Sequence, residues 1–297
     1  MRTVEITAPP SSARLYLRAL RTSGKSPGVI GALPDITYAR PRVILQAEHI
    51  ARYAALCGFR PAQGVPLTYP QLLTFPLVME FVGSSDCPWP AMGIVHLANA
   101  IEQHHHLCEG DAVRVEMRTG HVLAHDRGQV FTLDLRILRD GQLVWQATQT
   151  LLRVGVSQPA GERYAGRLFD TRPLSRQADL VAPGDIGRRY GRVSGDMNPI
   201  HLSALSARLF GFRRAIVHGL WTKARALAAL LPAVPVGRAT AAVEFRSPLL
   251  LPARASLWTT RCTDRAAFEV RDAHGQRLHL RGELGFGAPL DPPLRLH

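Results

Sequence analysis

Apolar and polar positions along the chain form two similar series of predicted elements. In each half, a long apolar helix precedes several strand-like runs. The second-half helix covers about His218–Leu231 and ends before Pro232, whereas the first-half helix covers about Gly93–Leu107. The predicted strands are Ala112–Val122, Gln129–Arg139 and Leu143–Val154 in the first half, and 240–250, 254–263, 266–272 and 276–286 in the second.

Short sequence echoes in the same order suggest that the chain arose by duplication. The pattern as a whole predicts an α+β fold, in which each helix packs on an antiparallel sheet. The echoes pair Glu48–Gly58 with Asp185–Gly195, Gly93–Leu97 with Ala215–Gly219, and the turn Asp140–Gln142 with His274–Gln276.

Composition narrows the class of protein. The chain has 297 residues, of which 46% are hydrophobic, enough for one large domain or two of ordinary size with apolar cores. No apolar run is long enough to span a membrane, and Met1–Thr7 lacks the apolar stretch of a secretory signal, so we expect cytoplasmic residence. Four cysteines occur without a Cys-x-x-Cys pair, which favours free thiols: Cys57, Cys87, Cys108 and Cys262.

The net charge of +13 raises the question of nucleic-acid binding. Apart from Lys25 and Lys223, every basic residue is arginine, and the arginines are spread along the chain without a basic block. No nucleic-acid-binding motif accompanies them, so we expect no nucleic-acid partner. A basic surface would still attract the phosphates of coenzyme A or an acidic carrier protein.

One segment, Tyr190–His201, concentrates the candidate chemistry. It places Asp196 and His201 five residues apart, where Gly195 and Pro199 prevent a regular helix. A carboxylate and an imidazole on one turn can share a water molecule or a substrate proton, as acid–base chemistry requires. The alternative is a tight turn in which Asp and Asn side chains only cap backbone amides.

The string Ser-Gly-Asp-x-Asn-Pro-x-His, followed by Ile216–Leu220 at a helix start, resembles the MaoC-like, or hydratase 2, family. Through Pro66–Pro70 and the Leu-Thr-Phe-Pro stretch after it, the chain resembles the actinobacterial double-hotdog dehydratases of that family. The resemblance implies a double hotdog fold. It also implies reversible hydration of trans-2-enoyl thioesters, or dehydration of (R)-3-hydroxyacyl thioesters, on coenzyme A or acyl carrier protein. Asp196 and His201 would be the acid–base pair, without a metal or redox cofactor.

Three further residues complete the predicted site. Asn198 and Ser194 are expected to organise the loop or to hydrogen-bond the substrate. Gly219 begins the central helix, whose backbone N–H groups could stabilise an oxyanion on the thioester; close packing is the alternative reason for this glycine. His218 precedes it, and His96 holds the corresponding place in the first half, so we expect both to be structural histidines.

The first half lacks the acid–base pair. When Gly58 is aligned with Gly195, Phe59 stands where Asp196 does, and Gly64 where His201 does. We therefore expect one active site per chain. Phe59 is a candidate for lining an acyl-chain tunnel, with an ordinary core position as the alternative.

These inferences give a domain division and a set of competing functions. We expect an N-terminal extension (1–40), a degenerate hotdog (41–155), a linker (156–175), a catalytic hotdog (176–287) and a tail (288–297), with two chains forming a homodimer. His104-His105-His106 would lie on a helix and could not ligate one ion together, so no metal is expected. The alternatives are a hotdog acyl-CoA thioesterase, disfavoured because Leu220–Leu231 contains no carboxylate, and a non-catalytic acyl-CoA-binding module.

Overall fold

The computed structural model describes residues 2–8, 10–26, 28–167, 169, 172–260 and 264–287, so the predicted tail and Cys262 lie outside the described residues. In chain order, the elements are β1 (Arg2–Glu5), α1 (Ser12–Arg21), β2 (Ile36–Ile44), α2 (Ala47–Cys57), α3 (Pro70–Val82), β3 (Ile94–Gln103), β4 (Ala112–His125), β5 (Gly128–Arg139), β6 (Gln142–Val154), β7 (Ser175–Ala182), α4 (Ile186–Ser194), α5 (Ala204–Arg208), α6 (Gly219–Leu230), β8 (Ala239–Phe245), β9 (Ala253–Thr259), β10 (Arg265–Asp272) and β11 (Leu278–Phe286). Single 3-10 turns cover Thr22–Gly24, Pro61–Gln63 and Pro199–His201.

The chain folds into two compact units whose segments alternate along the sequence. The first unit contains Met1–Ile44, Pro70–Asn99 and Asp111–Arg167. The second contains Leu45–Tyr69, Ala100–Gly110 and Leu168–His297. Residues 45–69 and 100–110 therefore group with the second half of the chain, although the sequence boundaries assigned them to the first. The predicted boundaries themselves stay a prediction.

In the first unit, a mostly antiparallel sheet packs on one apolar helix. Its strand order is β1-β2-β4-β5-β6, with β3 beside β6, and β1 runs parallel to β2. Helix α3 lies against β2, β4 and β5. Its residues Leu77 and Phe81 are fully buried, as are Phe131, Leu133 and Leu135 of β5. Burial of these apolar side chains is the main source of stability for such a layer.

The second unit repeats this plan and carries the candidate site. Its antiparallel sheet has the order β7-β9-β10-β11-β8, which matches β2-β4-β5-β6-β3 strand for strand. Helix α6 packs on β10 and β11, and α2 packs on α4 and α6. The common strand order supports duplication. It also agrees with the predicted α+β arrangement of a sheet wrapped around a helix.

The predicted first-half helix at Gly93–Leu107 is wrong. Residues Ile94–Gln103 form strand β3, and the central helix is α3. Helix α3 contains Pro76, which is unfavourable inside an isolated helix, and its burial in the core offsets this cost. The echo between Gly93–Leu97 and Ala215–Gly219 therefore compares a strand with a helix start and does not support duplication. His104–His106 follow β3 instead of lying on a helix, which removes the helical argument against a metal at that tract.

The other two echoes correspond to matching structure. Helices α2 and α4 end at Gly58 and Gly195, whose φ angles of 76° and 81° lie in the left-handed region that glycine adopts easily. The turns at Gly141 and Gly275 connect β5 to β6 and β10 to β11. Among the described residues, no helix is both long and apolar enough to cross a membrane.

Candidate active site

Asp196 lies in the short loop between α4 and the Pro199–His201 turn, and polar side chains hold this loop. Ser194 Oγ accepts a hydrogen bond from the Asp196 N–H at 3.2 Å, and Asp196 Oδ1 accepts one from the Asn198 N–H at 3.2 Å. Asn198 Oδ1 caps the turn by accepting from the Ile200 N–H at 3.3 Å. The amide capping considered from sequence is therefore real. It organises the loop that carries the acid.

Two glycines on α4 allow this loop to approach the helix closely. A Cβ atom at Gly187 would stand 1.9 Å from the His201 carbonyl oxygen, and one at Gly191 would stand 2.8 Å from the Asp196 carbonyl oxygen. Four residues apart, these glycines share one face of the helix. A side chain at either position would collide with this backbone. The backbone of both candidate catalytic residues therefore packs directly against α4.

His201 is positioned as a neutral base. Its Nδ1 lies 2.8 Å from the Ile216 carbonyl oxygen, which can only accept, so Nδ1 carries the proton and Nε2 keeps its lone pair. Only 9% of the residue is exposed, and this burial lowers the pKa of His201 below its ordinary 6.5, against the opposing effects of Asp196 and the Ile216 carbonyl. The imidazole is therefore uncharged near neutral pH.

His218, which we expected to be merely structural, contacts both candidate catalytic residues. Its ring stacks on that of His201 with centroids 3.7 Å apart. Its Nε2 donates to the Asp196 carbonyl oxygen at 3.0 Å and lies 3.8 Å from Asp196 Oδ2. Burial, followed by the neighbouring His201, lowers the pKa of His218 to about 3, so the ring stays neutral. The His-Gly pair at the helix start was the signal available in the sequence.

Asp196, His201 and His218 thus form one compact cluster, with a ligand atom from each within 4.8 Å of the others. A carboxylate and a free imidazole nitrogen at this separation can pass a proton through a shared substrate. The same atoms are also possible metal donors. However, His201 Nδ1 and His218 Nε2 are engaged by backbone carbonyl oxygens. The expectation of a metal-free site stays a prediction.

Gly219 is the first residue of α6, as predicted. The first N–H groups of a helix have no acceptor within it and form the positive end of its dipole. No side chain caps them at the start of α6. A Cβ atom at Gly219 would stand 2.8 Å from two ring atoms of Phe245. Close packing against Phe245 is therefore one reason for a glycine at this position. The oxyanion role stays a prediction.

In the first-half counterpart of this site, the structure modifies the sequence alignment. The 3-10 turns Pro61–Gln63 and Pro199–His201 match, which places Gln63, not Gly64, opposite His201. Gln63 Nε2 donates to the carbonyl oxygens of Leu231 and Pro232 at 3.3 and 3.0 Å. Phe59 is 5% exposed and stacks on Tyr53, with centroids 6.5 Å apart. Its role in an acyl tunnel stays a prediction.

His49 on α2 is a second residue that the sequence analysis missed. Its Nε2 lies 2.9 Å from the Val193 carbonyl oxygen, and its Nδ1 lies 2.9 Å from the Tyr69 hydroxyl. Because the carbonyl can only accept, His49 donates from Nε2 and accepts the Tyr69 proton at Nδ1. A side chain from α2 thereby caps the last turn of α4, directly before the Asp196 loop.

Comparison with known proteins identifies the class to which this fold and site belong. A family model described as MaoC like domain matches residues 166–276. A Mycobacterium tuberculosis protein named 3-hydroxyacyl-thioester dehydratase X is 35% identical over 252 residues, which cover 84% of this chain and 89% of the relative. The chain therefore belongs to the MaoC-like family and is a hydro-lyase.

Individual relatives make the placement more specific. The crystal structure of the mycobacterial dehydratase, HtdX, matches 84% of this chain and 98% of its own, with a TM-score of 0.70 and 32% identity. Another Mycobacterium tuberculosis structure, described as a double hotdog, matches 83% of this chain and 93% of its own with a TM-score of 0.54 and 13% identity, so it bears on the fold alone. The Arabidopsis thaliana mitochondrial 3-hydroxyacyl-[acyl-carrier-protein] dehydratase is 32% identical over 126 residues, covering 41% of this chain and 62% of the relative.

Proposed function

We propose that this chain catalyses the reversible dehydration of (R)-3-hydroxyacyl thioesters to trans-2-enoyl thioesters, with Asp196 and His201 as its acid–base pair. The observation that carries the assignment of residues is the His201 tautomer. Its Nδ1 donates its proton to the Ile216 carbonyl oxygen, which leaves the Nε2 lone pair available, and His201 lies in one cluster with Asp196. The named relatives support the reaction, and the preference for the (R) isomer follows from the family.

In the dehydration direction, His201 Nε2 takes the proton from C2 of the substrate, and negative charge develops on the thioester oxygen. Asp196 accepts a hydrogen bond from the 3-hydroxyl and stabilises the imidazolium that forms. The imidazolium then returns its proton to the departing hydroxyl, so that water leaves and the protein ends in its starting state. The thioester already acidifies the C2 proton, so the proposed chemistry uses no metal or redox cofactor.

The substrate would be carried on coenzyme A or on acyl carrier protein. The carrier protein is named as the substrate carrier of the Arabidopsis relative, which supports this second form. Cytoplasmic residence and a homodimer stay predictions from the sequence. The thioesterase alternative gains no support from α3, whose carboxylate Glu80 is buried in an ion pair with Arg18.

The assignment is tested by Asp196→Asn and His201→Ala, measured on hydration of an enoyl-CoA by loss of its absorbance. Both changes remove a proton-transferring group without emptying the core, and each should lower kcat by ~10²–10⁴-fold. The double variant should be little slower than the slower single variant, because the two groups act as a unit.

His279→Gln is the matched control, since His279 is a buried histidine of the same unit that hydrogen-bonds Ser247 outside the site. It should keep near-normal turnover. If Asp196→Asn or His201→Ala also kept near-normal turnover, the role given to that residue would be wrong.

A further inference from the structure

A loop formed by residues 202–215, which includes α5, begins and ends at the candidate active site. At its base, the Ile216 N–H donates to the Ile200 carbonyl oxygen at 3.0 Å. His201 binds the carbonyl oxygen of the same Ile216 at 2.8 Å. Both ends of this loop therefore lie beside His201.

The loop holds two leucines in solvent on an ordered framework. Ser203 Oγ caps α5 by accepting from the Ser206 N–H at 3.0 Å, Ser206 Oγ donates to the Pro199 carbonyl oxygen at 2.7 Å, and Ala207 is fully buried. Against this framework, Leu205 is 74% exposed and Leu209 is 81% exposed. Leu209 follows the last residue of α5 and stands four positions after Leu205, a spacing that brings side chains near each other on a helical turn. We call these two exposed leucines the apolar patch.

Four exposed arginines lie in this loop or contact it, and they have no ion-pair partner among the described residues. Arg208, Arg213 and Arg214 are exposed in the loop, and exposed Arg188 on α4 reaches it by donating to the Leu202 carbonyl oxygen at 3.1 Å. In the described part of the chain, no carboxylate forms an ion pair with these four side chains. Between Ile186 and Val243, Asp196 is the sole acidic residue of the sequence. Asp185, at the start of α4, pairs with Arg189, so positive charges outnumber negative ones around this loop.

We propose that this arginine–leucine surface docks an acidic acyl carrier protein that presents the acyl thioester to the neighbouring Asp196–His201 pair. The proposal rests on the dehydratase function proposed above and names the partner of that site. The surface consists of Arg188, Leu205, Arg208, Leu209, Arg213 and Arg214.

The combination of charge and apolar area selects this partner. Interfaces between proteins typically surround an apolar centre with polar groups, and arginine is enriched in them. The phosphates of coenzyme A would bind the arginines but leave both leucines in water. A second copy of this chain, with its own net charge of +13, would be repelled from a cluster of arginines.

The test measures dehydration of one 3-hydroxyacyl group on three carriers: a discrete acyl carrier protein, coenzyme A, and pantetheine. Pantetheine supplies the thioester arm but contains no phosphate. Two double variants separate charge from apolar contact: Arg208→Glu with Arg213→Glu, and Leu205→Ser with Leu209→Ser. The control is Arg14→Glu, an exposed reversal in the first turn of α1, where the helix dipole favours an acid.

Both double variants should raise KM for the carrier-protein substrate about tenfold or more while kcat and the pantetheine kinetics stay unchanged. The arginine variant should also reduce the salt dependence of that KM, and Arg14→Glu should behave as wild type. Unchanged KM for the carrier-protein substrate in both double variants would overturn the proposal. So would a loss limited to the arginine variant and equal for coenzyme A, which would indicate a coenzyme site.

Vesicles containing phosphatidylglycerol provide one more arm of the test. If they capture the wild-type protein but neither double variant, while carrier-protein kinetics are the same in all three, the surface binds membranes and the proposal is wrong. If the wild type processes none of the three thioesters, the dehydratase function itself fails. Turnover of pantetheine and coenzyme A substrates without turnover of the carrier-protein substrate rejects only the docking partner.

Discussion

The contact between Gly219 and Phe245 separates two roles that one glycine could have. A side chain at residue 219 would press on the Phe245 ring, so a loss of activity in Gly219→Ala alone could reflect packing. Proline at the same place would in addition remove the N–H proposed to bind the thioester oxygen. Proline suits the first position of a helix, and His218 already has the φ of −62° and ψ of 128° that a residue before proline adopts.

We therefore expect Gly219→Pro and Gly219→Ala to differ when each is combined with Phe245→Leu, which makes room for either side chain. The proline form should have a kcat ~10²-fold lower than the alanine form, because it alone lacks the oxyanion donor. Turnover is measured beside melting temperature on the same preparations. Equal kcat values in the two double variants would place the oxyanion donor elsewhere.

At the residue scale, sequence predicts those parts of the site that lie close together along the chain. Asp196, His201 and the capping residues Ser194 and Asn198 belong to one short string, and their spacing indicated a shared turn. His218 lies 22 positions from Asp196, and its contact depends on the path of the chain. Lys223 is fully buried on α6, with its pKa far below the ordinary value because of that burial, whereas a lysine is normally expected at the surface.

At the scale of elements, the pairing of α2 with α4 connects the half without the acid–base pair to the site. His49 binds the Val193 carbonyl oxygen one residue before Ser194, which braces the Asp196 loop. The hydrogen bond satisfies a helix-end carbonyl that α4 itself leaves unpaired. The hydrogen bonds of His49 go to Tyr69 and to the Val193 carbonyl oxygen, so we expect any effect on turnover to act through the position of this loop.

We expect His49→Phe to lower kcat by about 3- to 10-fold with little change in KM, as one hydrogen bond of typical net strength would give. The phenylalanine keeps the aromatic contact with Tyr69 but cannot donate to Val193. His49→Gln, which restores a donor, should recover most of the turnover. Thermal melting measured in parallel shows whether a variant is only less stable. Unaltered kcat in a folded His49→Phe protein would contradict the positioning role.

Element prediction succeeded where the local pattern and tertiary packing agree. The break of the helix at Gly195 and the turn between β10 and β11 were predicted from sequence, because glycine adopts those backbone angles easily. The central helix of the first half was placed on β3 instead of α3, since the apolar run of β3 fits either a helix or a strand. Contacts with neighbouring layers, which sequence does not display, decided both cases.

For the molecule as a whole, two buried neutral histidines make the free energy of unfolding decrease as the pH falls. The pKa of His218 falls from 6.5 to about 3 on folding, and burial also lowers that of His201. Below pH 6.5, these two histidines therefore bind protons in the unfolded chain but not in the folded chain. Stability rises with pH wherever the unfolded state binds more protons, so it is fully present above this value and is lost on acidification.

Between pH 6 and 4.5, His218 alone should reduce the free energy of unfolding by up to about 1.4 kcal/mol per pH unit. His218→Gln removes the titrating group, yet its amide can still donate to the Asp196 carbonyl oxygen. Urea unfolding at several pH values should give this variant a slope smaller by about that amount. If the free energy of unfolding had the same pH dependence in both proteins, folding would not lower the pKa of His218.

Because α2 groups with the second half of the same chain, the support that α2 gives to the active site does not depend on protein concentration. Helices α2 and α4 contact each other within one compact unit, although residues 70–99 of the chain, among others, separate them. Because both belong to one polypeptide, the local concentration of α2 around α4 is fixed by chain connectivity and not by the amount of protein present. The brace supplied by His49 is therefore equally available at picomolar and at millimolar protein. A site whose supporting helix came from a separate chain would lose that brace as its subunits dissociated.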